Sequence, residues 1–147
     1  MKIILASDHA GLELRQALVG LLQEKGVSFQ DVGPTTSESV DYPDFAKKVA
    51  RAVAAGEYTL GVLVCGTGIG MSIVANKYRG IRAALCSTEF EARMAREHND
   101  ANILCLGQRV LGAGVAKGIL EAFLATPFAG GKHARRVQMI REAESER

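Results

Sequence analysis

Five short apolar runs, separated by longer stretches whose apolar residues recur on a helical period, restrict this chain more than any other feature of its sequence. The runs are "KIILASD" (2–8), "VSFQDVG" (27–33), "LGVLVCG" (60–66), "IRAALCS" (81–87) and "ANILCLG" (101–107). Between and after them, residues 11–26, 44–56, 68–78, 88–99, 112–125 and 132–143 predict helices. "PTTSESVDYP" (34–43) reads as a loop, and "TPFAGG" breaks the last two helices apart. Strands alternating with helices give an α/β fold on a five-stranded parallel sheet, and strands so continuously apolar need cover on both faces. Ligands of such sheets sit beyond the carboxyl ends of the strands, which directs attention to residues 7–11, 33–43, 65–70, 87–88 and 107–109. Strand order is not set by the pattern.

At 147 residues and 48% hydrophobic content the chain suits a single domain, 1–147. A net charge of +2 is too mild for a general nucleic-acid or membrane surface, so neither partner is expected and any positive site is local. No apolar run approaches the ~18 residues of a membrane span and no signal-like start is present, which makes a cytoplasmic location the expectation. Three cysteines, Cys65, Cys86 and Cys105, cannot all pair, and their spacing fits neither a metal set nor a redox motif; free thiols in a reducing compartment follow.

Cys65 closes the third run and opens "CGTGIG", where Gly66, Gly68 and Gly70 free backbone N–H groups to face a ligand and the next helix begins. This is an anion cradle without the GK[ST] of a phosphate-binding P-loop, and one residue short of the dinucleotide GxGxxG. A thiol placed there is favoured as thiolate, hence as base or nucleophile; the plain alternative is a small buried hydrophobe, the role expected of Cys86 and Cys105 inside their apolar runs. Asp8 and His9 stand where the first strand meets its helix, Asp8 as a cap or a site carboxylate and His9 as a partner for an anion. His98, near a helix C-terminus that favours a protonated ring, is placed to donate a proton, or else marks a helix stop. Lys132 and Arg136, four apart after "GG", share a helical face that suits a phosphate or simply a solvated surface.

The ordered set "SDHAG", "DYPDFA", "CGTGIGMSIVANK", "GIRAALC", "EHNDANILCLGQRV" and "GGKHARRV" resembles the family of type B ribose-5-phosphate and galactose-6-phosphate isomerases, from Met1 to about Val137. The resemblance implies a Rossmann-like three-layer α/β/α sandwich, acting as a homodimer or dimer of dimers with sites shared between subunits. It implies metal-free, cofactor-free interconversion of an aldose phosphate and its ketose through an enediolate, for the pentose in the non-oxidative pentose phosphate pathway. Carried over residue by residue, Cys65 is the base, and the N–H groups of Gly66, Thr67, Gly68, Ile69 and Gly70 stabilise the enediolate oxygens. Thr67 bonds the thiol or the substrate, Asp8 and His98 bind and open the furanose, His9, Lys132 and Arg136 hold the phosphate, and Asn99 and Arg109 touch the sugar phosphate. The helix from 132 thus contributes to the phosphate site. Two departures stand out: Lys132 replaces a more common arginine and offers a point charge in place of a fork, and Met71 stands where family members without the cysteine carry a glutamate base.

The leading expectation is a ribose-5-phosphate isomerase. Six-carbon substrates, allose 6-phosphate or galactose 6-phosphate, are the alternative inside the family. Outside it stands a non-catalytic nucleotide-binding module with Glu89 on a ribose hydroxyl, which leaves Cys65, His98 and the tail cations without a task.

Overall fold

The computed structural model describes residues 1–146; Arg147, the last residue of the expected 1–147 domain, lies outside the described residues. Strands β1 (Lys2–Ser7), β2 (Ser28–Asp31), β3 (Leu60–Cys65), β4 (Ala83–Leu85) and β5 (Ile103–Gly107) form one sheet in the order β2-β1-β3-β5-β4. Every pairing is parallel. Helices α1 (Leu12–Glu24), α2 (Tyr42–Ala54), α3 (Ile69–Ala75), α4 (Glu89–Asn99), α5 (Ala113–Ala125) and α6 (Lys132–Glu144) complete the chain. The expected α/β sandwich, with five parallel strands between two helical layers, is what the chain adopts.

Alternation along each strand divides the core in two. Ile3, Leu5, Val62, Val64, Leu104 and Leu106 point to one face, where they meet Leu14, Leu18, Leu21 and Leu22 of α1, Ala92 and Ala95 of α4, and Ile119, Leu120 and Phe123 of α5. Ile4, Ala6, Leu63, Cys65, Ile103 and Cys105 point to the other and meet Ala46, Val49, Ala50 and Val53 of α2 with Met71 and Ala75 of α3. The leucines of α1 recur at i, i+4, i+7 and i+8 because only that stripe faces the sheet, and each contributes about 1.5–3 kcal/mol by leaving water.

Boundaries differ from expectation for local reasons. Helix α2 takes Tyr42 and Pro43 from the expected loop, since proline suits the first turn of a helix. Helix α3 stops at Ala75, and β4 keeps only three of the expected residues. Cys86 therefore lies just past β4 and not inside it, though still buried.

Strand order decides where a ligand can bind. The chain runs outward from β1 to β2, then crosses back to β3 on the other side, so β1 and β3 are neighbours whose following connections part in opposite directions. A crevice opens between their carboxyl ends at such a switch point.

Candidate active site

Cys65 ends β3 opposite Gly107 of β5, and Asp8 follows β1 with its N–H donating to the Val64 carbonyl at 3.2 Å. Thiol and carboxylate thus sit on adjacent strands at the switch point. Around them Asp8, His9, Ala10, Tyr42, Cys65, Gly66, Thr67, Ile69, Gly70, Ile73 and Arg109 line a cleft of about 480 Å³. Other hollows, along α6 and the 76–84 segment, lie away from this chemistry.

The Cys65 side chain is 6% exposed, and its Sγ accepts the N–H of Gly68 at 3.1 Å. A backbone donor aimed at sulfur stabilises negative charge there. Gly68 reaches that position at φ +79°, a left-handed conformation in which its backbone packs on the Leu106 carbonyl; a Cβ would stand 2.9 Å from that carbonyl carbon. Gly70 serves a side chain: a Cβ there would fall 2.5 Å from the Tyr42 ring, so the bare position lets the tyrosine lie against the loop. The bareness read as an anion cradle is also what admits the cleft's own walls.

The loop's donors are not all available to a ligand. Gly68 N–H serves the thiol, and Ile69 N–H donates to Thr67 Oγ1 at 3.2 Å. Among the described residues no protein acceptor meets the N–H of Thr67 or of Gly70. Of the two partners expected for Thr67, thiol or substrate, the thiol is served by Gly68 N–H instead, and the Thr67 hydroxyl accepts from Ile69 within its own loop.

Asp8 is the cap that one of its expected readings makes it, and it also borders the cleft. Its Oδ1 accepts Gly11 N–H at 3.0 Å, capping the single 3₁₀ turn His9–Gly11, while the buried carboxylate lines the cleft. His9 is fixed by an unexpected bond, since Val40 N–H donates to its Nδ1 at 3.2 Å. With Nδ1 engaged by Val40, Nε2 is the ring nitrogen left to donate to a ligand. Arg109 lies across the mouth, placed by its own N–H to the Gly66 carbonyl at 2.9 Å, and among the described lining residues it alone bears a permanent positive charge.

His98, Asn99, Lys132 and Arg136 do not line this cleft. His98, in the last turn of α4, stacks on His133 of α6 with ring centroids 4.2 Å apart. Lys132 and Arg136 are exposed on the first turns of α6, and burial together with the like charge of His98, Lys132 and Arg136 lowers the His133 pKa. The end of α4 is clamped from below: Arg82 donates to the Asn99 and Asp100 carbonyls, and Arg96 pairs with the Asp100 carboxylate at 3.1 Å. Each chain therefore carries two groups of expected site residues, one at the switch point and one where α4 meets α6.

The thiols read as structural are so. Cys105 is fully buried and Cys86 nearly so, and burial pushes both up, Cys86 to about 12. Among the described residues no three His, Cys, Asp or Glu side chains converge as a metal set, and no helix is long and apolar enough to cross a membrane. Glu89, the nucleotide alternative's key residue, pairs with Arg93 at 3.6 Å and faces Gly118 of α5, outside the cleft.

A family model described as Ribose/Galactose Isomerase matches residues 3–140. The chain belongs to that family. Ribose-5-phosphate isomerase B of Escherichia coli (strain K12) is 47% identical over 146 residues, covering 99% of this chain and 98% of that protein. Among solved structures, Clostridium thermocellum ribose-5-phosphate isomerase B superposes with a TM-score of 0.97 at 51% identity, covering 99% of both chains. The type B ribose 5-phosphate isomerase of Trypanosoma cruzi gives 0.96 at 45% identity over the full length of both. For a member of the ribose/galactose isomerase family, two residues in the geometry carry little signal in the sequence: Tyr42 lies in a segment that reads as loop, with no spacing to link it to Gly70, and His133 is one more residue of a basic tail.

Proposed function

We propose that this chain interconverts D-ribose 5-phosphate and D-ribulose 5-phosphate through an enediolate, with Cys65 as the base, in the non-oxidative pentose phosphate pathway of the cytoplasm. The observation that carries the assignment of the base is the Cys65 sulfur, held by Gly68 N–H at 3.1 Å in a cleft it shares with Asp8, His9 and Arg109. The names of the relatives support the substrate.

The proposed chemistry follows from the donors. The Cys65 thiolate takes the C2 proton of the open-chain aldose, and the electron pair moves onto the carbonyl oxygen at C1. The N–H groups of Thr67 and Gly70, which no protein acceptor among the described residues engages, stabilise that oxygen as charge develops. The proton returns to C1, and the hydrogen that O2 gives up as the ketone forms passes to the oxygen at C1, which completes a balanced isomerisation. Asp8 and His98 open the furanose, Asn99 contacts the sugar, and His9, Arg109, Lys132 and Arg136 bind the phosphate.

Because His98, Asn99, Lys132 and Arg136 do not line the Cys65 cleft, the proposal includes a homodimer or dimer of dimers in which α4 and α6 of a second copy complete each site. The whole chain acts as one isomerase domain, without metal or cofactor. The family's description names a second sugar, so galactose 6-phosphate, and with it allose 6-phosphate, is the competing substrate class.

The test measures ketose formation from ribose 5-phosphate and from the two hexose phosphates, with EDTA present and Cys65→Ala alongside. Turnover of the pentose, lost in a folded Cys65→Ala protein, is expected. Full activity in that variant would sink the base assignment, and turnover confined to a hexose phosphate would transfer the site to the other substrate class.

A further inference from the structure

Arg15 is the one arginine of the described chain that is almost wholly buried, at 2% exposure, and it belongs to α1, an element with no expected site residue. Its guanidinium holds three segments at once. One nitrogen donates to Ser7 Oγ at 2.6 Å, another to the Pro34 carbonyl, and Nε forms an ion pair with Asp31 at 3.2 Å. That Asp31 oxygen also accepts the N–H of Gly33 at 2.9 Å, and Ser7 N–H donates to the Gly33 carbonyl at 3.1 Å.

These contacts lie directly behind the cleft. Ser7 precedes Asp8, and Pro34 begins the 34–41 segment, whose far end supplies the Val40 N–H that fixes His9 and leads into Tyr42. Asp8, His9 and Tyr42, three of the residues that line the cleft, therefore adjoin segments tied together by one buried fork. On the opposite side Gln108 and Arg109 N–H groups donate to the Cys65 and Gly66 carbonyls, both at 2.9 Å; Arg15 bonds none of these residues, and the two sides meet through Leu14 N–H on Gln108 Oε1 at 3.0 Å and Asp8 N–H on the Val64 carbonyl at 3.2 Å.

We propose that Arg15 is a positioning residue, which sets Asp8, His9 and Tyr42 against a thiol whose own loop it does not bond. A planar guanidinium suits three differently directed acceptors, whereas a lysine has one flexible point from which to reach them. The proposal rests on the isomerase reading only for its kinetic readout.

The experiment uses Arg15→Met, Arg15→Lys and Ser7→Ala, the last removing a single contact. In ribose 5-phosphate turnover, Arg15→Met is expected to raise KM at least tenfold, and Arg15→Lys and Ser7→Ala to fall between it and the parent. Hydrogen exchange is expected to quicken across residues 34–42 but not across 66–70, and iodoacetamide to alkylate Cys65 at the parent rate. A lower melting temperature with unchanged KM and unchanged exchange at 34–42 would make Arg15 a structural residue only. A fall in kcat with altered Cys65 alkylation would show that the thiol depends on it, which also overturns the proposal. Should Arg15→Met fail to fold, Ser7→Ala and Arg15→Lys carry the same comparison. If the parent itself does not turn over ribose 5-phosphate, the isomerase reading fails, while exchange and alkylation still decide the role of Arg15.

Discussion

Replacing Gly68 with alanine tests the link between the loop's backbone and the thiol. At φ +79° an L side chain costs about 1–2 kcal/mol of conformational strain. The new Cβ would also stand 2.6 Å from Leu85 Cδ1 and 2.9 and 3.1 Å from the carbonyl carbon and oxygen of Leu106. Leu85 is 37% exposed and can turn away, but Leu106 is backbone in a fully buried strand and cannot, so overpacking adds about 1–3 kcal/mol. The sum, about 2–5 kcal/mol, is relieved in part by lifting the loop off β5, which draws Gly68 N–H from the Cys65 sulfur. Stability is read by urea unfolding at fixed protein concentration, since any association stabilises by mass action, and activity by ketose formation. The expected result is a loss of at least 2 kcal/mol together with at least a tenfold fall in kcat. A variant that loses under 1 kcal/mol and keeps its kcat would refute both the strain argument and the role given to the Gly68 donor.

Three further outcomes follow from the same geometry. Gly70→Ala is expected to leave stability within about 1 kcal/mol, because the gain in helix propensity offsets the displaced, partly exposed Tyr42 ring, yet to raise KM several-fold; unchanged KM would remove Tyr42 from the binding site. Cys105 stays a neutral thiol in the folded chain while its unfolded form ionises near pH 9, so stability is fully present below pH 9 and falls above it, by up to about 1.4 kcal/mol per pH unit. Alkaline unfolding should flatten in Cys105→Ala, and an unaltered slope would contradict the burial argument. His133 is lowered beneath its usual 6.5, so its contribution to stability is present above that value and lost as pH falls through it; His133→Gln should remove that acid component, read as melting temperature between pH 8 and pH 5.

The α/β architecture was legible because parallel strands buried on both faces must be apolar throughout, and five such runs leave few other folds. Cys65, Asp8 and Arg109 were legible for a related reason, since strand ends in such a sheet are where ligands bind. Strand order was not, because which of two apolar runs lies beside β1 depends on crossovers that leave no mark on local pattern. Nor were the contacts made by backbone: the Val40 to His9 bond spans thirty-one positions, and only the fold brings them together. Thr67 shows the limit of reading side chains alone, as its hydroxyl had a nearer acceptor task within its own loop.

The division of the core by the sheet has a consequence for how sequence can drift. Cys65 points to the α2 and α3 side and shares its buried cluster with Met71, Ala46 and Val49, whereas the leucines of α1 and the apolar stripe of α5 occupy the opposite side. Truncating Leu22 or Phe123 leaves a cavity that lowers stability by about 2–5 kcal/mol but lies across the sheet from the sulfur. A change of volume at Met71 presses on the layer from which the thiol emerges. One side of this protein is thus free to trade hydrophobic residues wherever total packing is kept, and the other packs against the Cys65 thiol itself, so tolerance to substitution should change from one residue to the next along a single strand.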